Sequence, residues 1–204
     1  MLRIKIDDDM KNDCKKELFV SNPENKQDFT NILGEKLRSF GYTVFHHDIN
    51  ADVMIAEKVV ELAKDQNIRV VCDDTDVFML LIAKLDKTNE FSVYLKQPKS
   101  KRNINMIGLV NIIPERVKSN ILVIHAITGC DTTSFLFGVG KSKFKLFKKV
   151  VMDKDYKDDL FQRFYEPECG DLSELKDVCE KIIMSLCSYC PNYETLDELR
   201  VKSF

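Results

Sequence analysis

Between Tyr42 and Leu85 the hydrophobic residues change their spacing repeatedly, and this alternation restricts the chain to few architectures. Tyr42 to Phe45 (YTVF) has the aromatic and β-branched composition of a strand. Asp52 to Lys64 carries helical periodicity, and Ile68 to Cys72 (IRVVC) is strand-like again. Strand, helix, strand predicts a βαβ crossover with its two strands parallel. The loops after Phe45 and Cys72 would then open on one edge of the sheet, where open α/β sheets bind ligands. Val77 to Leu85 is almost wholly apolar and fits strand or buried helix. Asp74 and Thr75 ahead of it are N-cap types, so a helix is predicted.

Around this segment, residues 24–40 set Phe29, Ile32, Leu33, Leu37 and Phe40 on one helical stripe that ends at Gly41, which predicts a surface helix with a buried face. Phe91 to Leu95 and Ile104 to Met106 read as short strands on either side of the basic stretch QPKSKRN. From Asn120 onward the pattern is helical, at 120–128, 141–150, 154–164 and 172–188. A chain of 204 residues with 44% hydrophobic content supports one principal domain with a helical extension. The expectation is an α/β fold: a core over residues 1–150 with a mostly parallel sheet flanked by helices, and a helical C-terminal extension over 151–204.

The 31 Lys and Arg against 33 Asp and Glu leave a net charge of −2, so any contact with nucleic acid must rest on a local basic patch. The longest apolar runs, Val77 to Ala83 and Ile121 to Ile124, are far too short to cross a membrane, and MLRIKIDDDM lacks the apolar core of a signal peptide. Seven scattered cysteines suit a reducing compartment. An intracellular protein is expected, without a membrane partner and in the nucleus ahead of the cytoplasm. Cys187 and Cys190, with Cys169 and Cys179 upstream, match no standard zinc spacing and are read as thiols.

Carboxylates gather at three segment ends: Asp48 and Asp52, then Asp73, Asp74 and Asp76, then Asp131 after ILVIHAITGC. If strands 42–45 and 68–72 lie side by side, the first two groups share an edge. Clustered carboxylates suit Mg2+ or Mn2+, two of which can activate water and stabilise a leaving oxygen in phosphodiester cleavage. Asp at such positions also caps helices and solubilises loops, and spacing alone leaves both readings open. Asp73-Asp74-Thr75-Asp76 is compatible with a phosphatase-like α/β domain or a receiver-type acidic pocket too. The first wants its aspartates near the start of the fold, and the second does not account for the segment after Gly129. His46, His47 and His125 are read as structural, His125 most firmly because it sits in an apolar helix.

Residues 129–149, GCDTTSFLFGVGKSKFKLFKK, place Gly138 and Gly140 before Lys141, Lys143, Lys145, Lys148 and Lys149, five lysines in nine residues. Glycines at a turn let the backbone approach a phosphate, and the next helix N-terminus attracts it. Such contacts position DNA without reading its sequence.

Gly129-Cys130-Asp131 followed by Phe137-Gly138-Val139-Gly140-Lys141 resembles the signature of the flap endonucleases, in which a Gly-Cys-Asp metal ligand precedes a helix-two-turn-helix. Asp74-Thr75-Asp76 resembles that family's Asp-x-Asp pair, and Asn50-Ala51-Asp52 its acid-x-acid pair. NPENKQDF at 22–29 and HAITGCDTTS at 125–134 resemble uncharacterised PIN-like proteins of invertebrates. The likeness spans roughly residues 17–150. It implies a PIN-like core with a helix-two-turn-helix at 119–150. Asp52, Asp74, Asp76 and Asp131 would be the catalytic metal ligands for two Mg2+ or Mn2+ ions, with Asn50 and Asp48 as further oxygen donors. Gly138, Gly140, Lys141, Lys143 and Lys145 would hold DNA. Position 50 is Asn where the family carries an acid, and the family's first strand has no counterpart, so the core is expected to be incomplete at its N-terminal side. The function implied is hydrolysis of phosphodiester bonds in branched or single-stranded DNA. The alternatives are a non-catalytic DNA-binding pseudonuclease and, more remotely, the phosphatase-like domain.

Overall fold

The computed structural model describes residues 15–46, 50–98, 100, 102–129 and 172–186. The chain divides into two compact units, residues 1–49 and residues 50–204. The described residues form a mixed α/β structure of eight helices and one three-stranded sheet.

In the first unit, α1 (Lys16–Val20) leads into α2 (Pro23–Ser39). The start of α2 is written in its sequence. Asn22 is the N-cap and accepts from the backbone N–H groups of Glu24 and Asn25 at 2.9 and 3.4 Å, with Pro23 at the first helical position. Lys36 and Arg38 occupy the last turn, where cations suit the helix dipole, and Gly41 follows at φ 85°. The amide of Asn25 donates to Phe19 O, and the Phe19 and Phe29 rings meet edge to face at 6.3 Å, which ties α1 to α2.

The expected buried stripe on α2 is largely not buried. Phe29, Leu33 and Phe40 are 47, 45 and 70% exposed, while Ile32 and Leu37 are half-buried. Among the described residues of its unit, α2 has the five-residue α1 and the segment after Gly41 to pack on, which offer too little surface to cover the stripe. Tyr42 to Phe45, predicted as the first strand, belongs to no strand or ladder. It instead leads to His46, which lies over Gly34: a Cβ at Gly34 would come within 2.5 Å of the ring's Nε2.

The second unit opens with α3 (Ala51–Leu62), then β1 (Ile68–Val71), α4 (Thr75–Lys84), β2 (Val93–Lys96), β3 (Asn103–Asn105), α5 (Met106–Ile112), α6 (Glu115–Ser119), α7 (Ile121–Thr128) and α8 (Leu172–Leu186). The sheet order is β1-β2-β3. β1 runs parallel to β2, pairing Ile68 with Val93 and Val70 with Leu95. β2 runs antiparallel to β3, pairing Leu95 with Ile104. This corrects two expectations: the sheet is mixed rather than mostly parallel, and the parallel partner of 68–71 is 93–96, not 42–45. The βαβ unit is therefore β1-α4-β2. Side chains fix its ends, with Asn67 Oδ1 accepting from Ser92 N–H at 2.8 Å and the Ile68 N–H donating to Ser92 O.

One core follows from this topology. Val70, Val93 and Leu95 share the covered face of the sheet, the opposite face carrying Arg69 and the 62% exposed Val71, as strand alternation requires. α4 packs against α3, α5, α6 and α7 and buries Val77, Leu81, Ile82 and Leu85 at 3% exposure or less. It is apolar around most of its surface because it is surrounded. Met106, Val110, Val117, Ile121 and Ile124 complete the cluster from α5, α6 and α7, and Ile182 joins it from α8. The predicted helix 172–188 thus exists as α8, while 141–150, 154–164 and the boundary at 150/151 lie outside the described residues.

Candidate metal centre

The carboxyl end of β1 runs without a break into Cys72, Asp73 and Asp74, and Asp74 starts α4. Its Oδ1 accepts the Asp76 backbone N–H at 2.8 Å, and its own N–H donates to the Cys72 sulfur at 3.3 Å. Asp73 and Asp74 are exposed. Asp74 is therefore a true N-cap, one of the two roles its sequence left open.

Asn50 repeats this arrangement on α3. Its Oδ1 accepts from Asp52 N–H at 3.0 Å and from Val53 N–H at 3.2 Å. The side-chain oxygen that Asn50 would offer a cation is thus engaged by two backbone donors. An aspartate here would keep the cap with one oxygen and retain a second. Asp52 follows in the first turn of α3 and is half-buried.

Asp76 differs from both. It lies in the first turn of α4, its side chain is only 15% exposed, and its Oδ1 stands 3.1 Å from Nε2 of His125. His125 comes from α7, where its side chain is 8% exposed in the helix ILVIHAIT. A buried carboxylate needs compensation. Among the described residues, the positive end of α4 and the imidazole opposite both supply it to Asp76. Sequence placed His125 in an apolar helix, correctly, but gave no sign that it faces the Asp-Asp-Thr-Asp run. Which helix lies across from α7 is a tertiary fact that periodicity does not encode. A polar residue amid ILVI-AI was the only available signal.

Asp52, Asp74 and Asp76 thus all stand at helix starts of the second unit, and Asp76 is joined by His125. Asp48, His47, Asp131, Gly138, Gly140, Lys141, Lys143 and Lys145 lie outside the described residues. Carboxylate oxygens are what a hard cation such as Mg2+ takes. The donor types fit such an ion in chemistry, and among the described residues no three His, Cys, Asp or Glu side chains gather closely enough to hold one by themselves. Also among the described residues, no helix is long and apolar enough to cross a membrane. No protein-family model matches the chain, and neither curated proteins nor solved structures give a match.

Proposed function

We propose that this chain is the metal-binding and DNA-holding part of a PIN-like nuclease, hydrolysing phosphodiester bonds in branched or single-stranded DNA with Mg2+ or Mn2+. The observation that carries the reading is the Asp76–His125 contact. It sets the Asp-x-Asp pair against α7, the helix that the sequence continues into Gly129-Cys130-Asp131, through a packed and largely buried interface of α4 and α7. Asp52, Asp74, Asp76 and Asp131 would hold the metal, which when bound would lower the pKa of water and offset the charge developing on phosphate. The lysines and glycines from Gly138 to Lys145 would grip the phosphodiester backbone.

The capping role of Asn50 favours a second reading. With its side-chain oxygen engaged by two N–H groups, that position adds no charge where the resembled family has an acid, which supports a chain that binds DNA without cutting it.

Cleavage of labelled single-stranded, duplex and flap DNA by the purified chain, with Mg2+ or Mn2+ and with Asp74→Asn/Asp76→Asn as control, separates the two. Metal-dependent cutting that the double variant loses establishes the nuclease. Binding without cutting, weakened when Lys141, Lys143 and Lys145 are replaced, establishes the pseudonuclease. Hydrolysis of a phosphomonoester with no DNA binding would overturn both.

A further inference from the structure

Burying an imidazole on α7, beside the buried Ile121, Val123 and Ile124 in sequence, forfeits hydration of its ring nitrogens, where a leucine would cost nothing. His125 also lies against the least exposed of the three described aspartates of the Asp-Asp-Thr-Asp run: Asp73 and Asp74 are exposed, Asp76 is not. Asp74 is already oriented by its capping bond, so Asp76 is the carboxylate of the pair whose direction depends on a neighbour outside its own helix.

We infer that His125 is a positioning residue for Asp76: the imidazole, 3.1 Å from Oδ1, fixes the rotation of the carboxylate so that it meets a divalent cation already ordered. The inference rests on the metal reading above and adds a residue to it. Groups that hold a ligand in place commonly change metal affinity by about 10- to 100-fold when removed, because the freed ligand must be ordered on binding. Asp76, 15% exposed at the start of α4, has His125 of α7 as the neighbour set against its Oδ1.

The test is direct Mn2+ binding to the full chain, read from the paramagnetic resonance signal of unbound Mn2+, with the melting curve of each metal-free variant recorded in parallel. His125→Phe keeps the ring's bulk without its nitrogen and is expected to weaken binding about tenfold. His125→Gln carries an amide near the position of Nε2 and is expected to restore affinity to within a few-fold of wild type, whereas His125→Asn is too short and is not. Asp76→Asn should weaken binding at least as much as His125→Phe. Equal affinity in wild type and the Phe and Asn variants, with Asp76→Asn still impaired, overturns the inference and leaves the metal reading standing. Equal losses in the Gln and Phe variants overturn it as well, since packing alone would then be at stake. If His125→Phe does not fold, the Gln against Asn comparison decides: tighter binding by Gln supports the inference, and no difference overturns it. No Mn2+ binding by the wild type overturns both.

Discussion

Nε2 of His125 and Oδ1 of Asp76 meet at 3.1 Å where α7 packs on α4, linking two segments that sequence treats as separate. Their energetic coupling is measurable apart from any function. In a double-mutant cycle with Asp76→Ala and His125→Phe, unfolding free energies should depart from additivity by about 0.5–3 kcal/mol, as groups in contact do. Additivity to within about 0.3 kcal/mol would show that the pair does not interact in solution.

Asn50 offers a sharper contrast. Asn50→Ala removes the acceptor for two backbone donors of α3 and should destabilise by about 1 kcal/mol in denaturant unfolding. Asn50→Asp keeps the cap and adds a carboxylate at a helix start, so stability should hold while Mn2+ binding tightens. Unchanged Mn2+ affinity in Asn50→Asp would show that this position does not face a metal.

The centre of the fold is predicted to be α4. Leu81 is fully buried between this helix and its neighbours, and Leu81→Ala should cost about 2–5 kcal/mol by opening a cavity. Val71→Ala, on the exposed face of β1, should cost well under 1 kcal/mol. Similar losses at the two positions, measured by urea unfolding, would contradict the packing described.

Acid should weaken one surface turn in a predictable direction. The backbone N–H of Thr88 holds the Asp86 carboxyl below the ordinary carboxylate range, and the Thr88 hydroxyl adds to this. A carboxyl lowered in the folded state contributes stability above its unfolded pKa of about 3.9 and loses that contribution as pH falls through the folded value. The stability difference between wild type and Asp86→Ala should therefore be constant from neutral pH to about pH 5 and shrink below about pH 4. A difference that persists to pH 2 would show that the turn does not depend on the charge.

Sequence made α4, α3 and the β1 segment legible because each carries its own local signal: Asp74 as a cap and an apolar run over Val77 to Leu85, helical periodicity over 52–64, and β-branched residues at 68–71. The strand at 42–45 failed because β-propensity states fitness for a ladder and not the presence of one. The partner of β1 came from 93–96, and the Asn67 and Ser92 bonds that align the two strands are ordinary polar residues until the chain is folded. Ile104 to Met106 was one residue off. Asn105 ends β3 and caps α5 by accepting from Gly108 N–H at 2.9 Å, so Met106 enters a helix that periodicity had not marked. In the site, residue types were readable and their local geometry was not. The cap at Asp74 was among the roles foreseen and the cap at Asn50 was not, whereas the approach of His125 to Asp76 is set by helix packing.

The antiparallel pairing of β3 has a consequence for how this sheet could be extended. A three-residue Asn-Ile-Asn strand that turns at once into a helix offers little backbone for another segment to join. Among the described residues β1 borders the sheet on its other side, with Ile68 and Cys72 already donating inward to β2. A segment supplied from elsewhere would therefore add along Arg69 and Val71, on the strand whose last residues lead into Asp73 and Asp74, and its end would come to lie beside that acidic turn.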